Sequence, residues 1–382
     1  MREYLITLLV AATVTYLSTP IARRFAVRVG AFTGVRDRDV HSIPTPRLGG
    51  AAMFAGMAAA LLVASRMPTL QVVNQRFSEP RALLMGGGVV FVFGALDDRF
   101  NLDAVTKLAG QILAASVMVL QGVQLLWLPI PGQGTLILGQ DWSVVLTVSF
   151  IVIVINAVNF IDGLDGLAAG VVGIAALAFF ALSYNLSVQS HLPYALPPML
   201  IAIIVAGLCL GFLPHNFHPA RVFMGDSGSM LIGLLLAAST VSLTGQVDVV
   251  TQYQQYGAFL PLLLPFAILL VPFADLALAV ARRTKQGRAP WSPDKQHLHH
   301  RLLELGHSQR RAVLIMYFWS ALFGAGVVAL SVTKGPLVVV ALGGALAVVA
   351  LLLVNMPRLR AAPKATHCSL GNARKASRSR PW

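Results

Sequence analysis

The chain has 382 residues, of which 56% are hydrophobic and only 12% charged, against roughly 25% charged in an ordinary soluble domain. That balance, with a mean hydropathy of +0.73, excludes a soluble globular fold and predicts an all-α polytopic membrane protein. The net charge of +14 does not point to nucleic acid, because the cations form no separate soluble domain.

A hydrocarbon core of about 30 Å needs about 20 apolar residues per helix. Eleven runs qualify, near 3–22, 48–66, 82–97, 104–122, 142–160, 167–186, 196–213, 229–246, 257–281, 312–332 and 336–354. The first lacks a cationic start and a small-residue cleavage site, and Arg23 and Arg24 follow it. It reads as a helix with its N-terminus outside, not as a cleaved signal. The third run is short. Between the fourth and fifth, residues 123–140 alternate apolar side chains around a Pro-Gly-Gln-Gly turn, which predicts a small outer β-hairpin. The ninth run carries Pro261, Pro265 and Pro272 and is expected to kink. Residues 1–355 therefore form one membrane-embedded domain, and the basic, polar stretch 356–382 is expected to be a disordered cytoplasmic tail. Cys209 in a span and Cys368 in the tail suggest neither a disulfide nor a metal pair.

The cations orient the helices. With the N-terminus outside, all Lys and Arg residues except Arg2, Arg66, Arg76, Arg81 and Lys334 fall on the inner side. The acids sort the same way: Asp37, Asp39, Asp97, Asp98, Asp103, Asp162, Asp165, Asp226, Asp275 and Asp294 all lie at or near the inner boundary. A cation-coupled transporter, the remote alternative, would place ionisable groups at mid-depth, and the helix centres here hold almost none. The chemistry gathers at one face, where a water-soluble reactant meets a lipid-borne one.

Five inner segments carry it: 36–50 with PTPRLGG; 94–111 with Asp97, Asp98 and Lys107; 156–170, reading NAVNFIDGLDGLAAG; 215–230, where Asp226 opens a helix; and 282–311 with HLHH. In the third, Asn156, Asn159, Asp162 and Asp165 recur every three residues. On one helix that step turns about 300°, so the four would fan over half the surface. The aspartates are hard oxygen donors suited to Mg²⁺ or Mn²⁺. A glycine-rich turn opening a helix offers free N–H groups to an anion. His and Arg clusters neutralise phosphate. Together they indicate phosphoryl transfer, which is mostly positioning and charge neutralisation. His41, His215, His218 and His307 read instead as surface groups, and Asp275 as a structural partner of Arg282.

Taken in order, PTPRLGG, ALDDRFNLD, NAVNFIDGLDGLAAG, NFHPARVFMGDSGS and DKQHLHHRLLELG resemble the polyprenyl-phosphate N-acetylhexosamine-1-phosphate transferase family over roughly residues 1–355. The PDKQ and HLHH forms look like the branch that uses UDP-N-acetylglucosamine. The branch that uses UDP-N-acetylmuramoyl-pentapeptide typically shows three consecutive histidines, which this chain lacks. The resemblance implies attack by a membrane polyprenyl phosphate on the UDP-sugar, with UMP leaving; another UDP-N-acetylhexosamine is the alternative substrate. It implies Mg²⁺, with Mn²⁺ as a substitute, on Asp226, with Asp97 and Asp98 as further candidate ligands. It implies catalytic roles for Asp97, Asp98, Asp226, Lys107, His299 and His300. It implies substrate contacts from Asn159, Asp162, Asp165, Asn216, Phe223 and His297. The expected setting is the bacterial cytoplasmic membrane, in contact with its lipids and with the site facing the cytoplasm; a homodimer is left open.

The orientation is testable by labelling single cysteines in a Cys209- and Cys368-free background. Asp103→Cys, Arg221→Cys and Lys295→Cys should react in intact cells only with a permeable reagent. Arg76→Cys and Gln133→Cys should react from outside. Free labelling of the Lys295→Cys protein from outside would reverse the topology.

Overall fold

The computed structural model describes residues 1–32, 45–130, 134–190, 195–244 and 308–332, with positions 262 and 265 singly. The expected spans near 257–281 and 336–354 and the tail 356–382 lie outside these residues. Within them, seven helices are long and apolar enough to cross a membrane, or eight if a bent pair counts as one span. The chain is an all-α, multi-pass membrane protein with a small hairpin among the described residues.

The long helices are α1 (Arg2–Val29), α4 (Glu79–Phe100), α6 (Gln140–Ile161), α7 (Leu167–Ser190), α8 (Leu196–Asn216), α9 (Gly225–Thr244) and α10 (Gln309–Val332). Helix α5 (Ala104–Leu120) is a shorter apolar helix. The run predicted near 48–66 is α2 (Gly49–Ala64), and it is followed by a short helix, α3 (Pro68–Arg76), that turns away by 105°. The Glu3 carboxylate of α1 accepts the Thr69 and Leu70 amides at 3.0–3.2 Å and so caps the start of α3. Strands β1 (Trp127–Ile130) and β2 (Gly134–Ile137) form the expected antiparallel hairpin, with Trp127 opposite Ile137. It is tied to α6, because Ser143 Oγ donates to the Leu125 carbonyl and Thr147 Oγ1 accepts the Leu125 amide.

Helix α9 is the central post. Every residue described in it from Ser227 to Thr244 is buried, and it packs against α2, α4, α6, α7 and α8. Such close approach needs small residues, as in other membrane bundles. A Cβ on Gly50 would lie 2.4 Å from the Gly228 amide nitrogen, and one on Gly94 would lie 2.5 Å from Ser227 Cα. Across the bundle, a Cβ on Gly211 would lie 2.2 Å from the Ala12 carbonyl oxygen, so α1 and α8 touch backbone to backbone.

Gly94 and Gly88 lie on one helix and allow a matched comparison. At Gly88 an added Cβ meets only the Phe54 ring, at 3.8–4.0 Å. Gly94→Ala should cost about 1–3 kcal/mol of overpacking and lower the thermal midpoint of the solubilised protein. Gly88→Ala should leave the midpoint unchanged or raised.

Candidate active site

The site begins where α4 ends. Asn101 adopts a left-handed conformation with φ +50° and stops the helix. Asp103 then caps α5, accepting the Thr106 hydroxyl and the Thr106 and Val105 amides; the hydroxyl bond first, and then the amides, pull its carboxyl below the usual range. The chain reversal brings Lys107, on the first turns of α5, back over Asp97.

Lys107 Nζ lies 2.7 Å from Asp97 Oδ2 and 2.8 Å from Asp226 Oδ2. Asp97 is buried and also accepts the Leu102 amide at 2.7 Å. The Asp226 side chain is 20% exposed and that of Lys107 31%, so this is the open edge of the cluster. Asn159 of α6 donates to Asp226 Oδ1 at 3.2 Å and to Ser229 Oγ at 2.9 Å. One turn away from it, Asn156 exchanges hydrogen bonds with Gln111 of α5.

Asp98 faces the other way. Its Oδ1 accepts the Asp226 amide at 2.8 Å, and its Oδ2 accepts the Ser227 amide at 3.2 Å and the Ser227 hydroxyl at 2.6 Å. A helix N-terminus leaves N–H groups without intrahelical partners, and Asp98 supplies acceptors for those of α9. Gly225, at φ +72°, is needed here, since a Cβ would lie 2.4 Å from Asp98 Oδ2.

The 156–170 segment corrects the helical expectation. Asn156 and Asn159 do lie on α6, but the helix ends at Ile161. Asp162 and Asp165 belong to the turn before α7, where Gly166 takes φ +77°. The three-residue step therefore does not continue around one helix. Asp162 is half-buried; burial, then the charges of Asp226 and Asp98, push its carboxyl up to about 7, with Arg47 opposing the shift.

Asp165 and Asn216 form a second, fully buried cluster. Asp165 Oδ2 receives His218 Nδ1 at 2.8 Å and the Ala220 amide at 3.1 Å. Asn216 Oδ1 accepts the Gly166 amide, and its Nδ2 donates to the Val222 carbonyl, both at 3.0 Å. His218 is thus partnered with a buried carboxylate and is not the free surface group expected from the sequence. Phe223 lies just before the α9 turn. Its amide donates to the Pro46 carbonyl and its carbonyl accepts the Gly49 amide, at 2.9 and 3.1 Å. The PTPRLGG segment is thereby fastened to the segment that carries Asp226.

The structure thus gathers Asp97, Asp98, Lys107, Asn159 and Asp226 in one cluster, with Asp162 near enough to feel its charge. Asp165 and Asn216 sit together beside it. His297, His299 and His300 lie outside the described residues. Sequence reasoning missed Arg47, His218, Ser227 and Ser229. The first lies in a motif that stood out, but none of the four breaks an apolar helix with a lone charge.

A sequence-family model described as glycosyl transferase family 4 matches residues 81–244. The chain is 46% identical over 373 residues to the decaprenyl-phosphate N-acetylglucosaminephosphotransferase of Mycolicibacterium smegmatis, covering 95% of this chain and 90% of that one. It is 43% identical to the protein of the same name from Mycobacterium leprae, over 85% of this chain and 83% of the relative. It is 29% identical to the undecaprenyl-phosphate alpha-N-acetylglucosaminyl 1-phosphate transferase of Yersinia pestis, over 79% and 77%.

Proposed function

The chain belongs to glycosyl transferase family 4, the polyprenyl-phosphate N-acetylhexosamine-1-phosphate transferases, and from that premise we propose that it transfers N-acetylglucosamine-1-phosphate from UDP-N-acetylglucosamine to a membrane polyprenyl phosphate. The products are UMP and polyprenyl-diphospho-N-acetylglucosamine, the first lipid-linked intermediate of an envelope glycan. The observation that carries this reading is the Lys107 ammonium held between Asp97 and Asp226. A phosphate dianion approaching two carboxylates alone would be repelled; a fixed cation between them removes most of that barrier.

The donor set fits Mg²⁺. Among the described residues no three His, Cys, Asp or Glu side chains form a ready metal cage. Mg²⁺ commonly takes one or two carboxylates and completes its shell with water and phosphate. Asp226 is the accessible carboxylate, and Asp97 shares Lys107 with it, so these two would hold the ion. When bound, Mg²⁺ would supply Lewis-acid neutralisation of the diphosphate oxygens. Asn159 fixes the second Asp226 oxygen. Asp98 is buried and accepts three hydrogen bonds from the first turn of α9, so we assign it to placing Asp226 and leave the metal to the more open Asp226 edge. The attacking phosphate has a second pKa of about 6 and needs no base at neutral pH. We assign Asp162 and Phe223 to the nucleotide. We place the site at the cytoplasmic face of the bacterial inner membrane, where UDP-sugars are found, with both clusters on the cation-rich side.

Incubating the purified protein with Mg²⁺, polyprenyl phosphate and a panel of UDP-sugars tests the reading directly. UMP should appear with UDP-N-acetylglucosamine; UMP with a different UDP-N-acetylhexosamine alone would change the donor. EDTA should stop the reaction and Mg²⁺ or Mn²⁺ restore it. Asp226→Asn should lower kcat by at least about 100-fold without changing the thermal midpoint. A further check separates base from scaffold. Asp97→Asn and Asp98→Asn should show a defect that stays constant from about pH 6 to 9. A defect confined to the acid side would identify a general base.

A further inference from the structure

Helix α10 lies beyond the part of the chain that the family match covers, 81–244, yet it reaches into the second cluster. The Tyr317 hydroxyl donates a short hydrogen bond to the Gly166 carbonyl. Arg310 Nε donates to the His218 carbonyl at 3.1 Å. The two acceptors belong to the two strands of chain that Asp165 and Asn216 already cross-link. Gly166 gives its amide to Asn216, and His218 gives its ring N–H to Asp165. The fit of α10 is close: a Cβ on Gly170 would lie 1.9 Å from Tyr317 Cζ, so only glycine lets the tyrosine ring sit there.

We infer that Tyr317 and Arg310 are positioning residues for the nucleotide-sugar side of the site, through which α10 clips the 162–166 turn to the 216–222 segment. Neither touches the Lys107 cluster. Each holds a backbone carbonyl of a segment near a residue assigned above to the substrate, Asp162 four residues before Gly166 and Phe223 five residues after His218. Helix α10 begins nine residues after His300, so it links the histidine-bearing segment in sequence to the turn that carries Asp162. The inference rests on the transferase reading only for the substrate it names. A tyrosine that merely satisfied its hydroxyl would be exchangeable for phenylalanine with no effect selective for one substrate.

Tyr317→Phe in the full-length protein keeps the ring against Gly170 and removes only the hydroxyl. With Mg²⁺ present, KM for UDP-N-acetylglucosamine should rise about 3- to 10-fold, the span expected for one lost hydrogen bond. KM for polyprenyl phosphate should not move, and the thermal midpoint should fall by no more than the few degrees that one lost hydrogen bond allows. Arg310→Lys, which keeps the charge but loses the Nε–H, should act in the same direction. Hydrogen exchange in the peptide covering Gly163–Gly170 should quicken in Tyr317→Phe. An unchanged UDP-N-acetylglucosamine KM overturns the inference, as does an equal rise in both KM values with a lowered midpoint. Should the wild-type protein release no UMP from any UDP-sugar, the transferase reading fails by itself; the clip is then judged by exchange, and an unchanged rate in Tyr317→Phe overturns it.

Discussion

The contact on which the site depends is the Asp98 carboxylate against the first turn of α9. Helix α9 is buried along its length, so its opening N–H groups have no water to turn to, and an unpartnered buried amide costs several kcal/mol in such surroundings. Asp98 meets two of them and the Ser227 hydroxyl as well. Those three donors in turn offset the cost of placing a carboxylate in the interior. The bargain fixes the Asp226 backbone, and from that backbone the Asp226 side chain reaches out to Lys107 and Asn159. Adjacent carboxylates at 97 and 98 thus point to opposite tasks. One points inward and builds the scaffold; its neighbour shares an ammonium with the reactive edge.

The helices could be read from the chain because a bilayer imposes their length, and an apolar run of that length has few other uses. The aspartates stood out for the related reason that charge near a membrane face is costly and therefore placed for a purpose. The end of α6 was less legible. Residues three apart suit a helix face and an irregular turn equally, and only the geometry at Gly166, with φ +77°, decides for the turn. The break between α2 and α3 was hidden by Met67 and Pro68, since proline at the first position of a new helix does not by itself announce a bend. His218 and Tyr317 were illegible for a further reason. Their meaning lies in partners 53 and 151 residues away, and no local pattern encodes such a pairing.

The two clusters differ in kind, and on the proposed function that difference follows from what each must hold. The Lys107 cluster is made of side-chain charges at a partly open edge. Phosphates bring charge of their own, so fixed ions at the right spacing are what their transfer requires. In the Asp165 cluster the partners are chiefly backbone groups, the amides of Gly166 and Ala220 and the carbonyl of Val222. The base and ribose of a nucleotide are recognised by shape and by a few neutral hydrogen bonds, which demand a rigid wall more than a strong field. The turn at 162–166 joins the two. Its first residue, Asp162, feels the charges of Asp98 and Asp226, while its last, Gly166, is fixed through both its amide and its carbonyl. Holding the backbone at one end of a five-residue turn is the economical way to aim a carboxylate at the other. It leaves the half-buried side chain of Asp162 available to whatever enters the site.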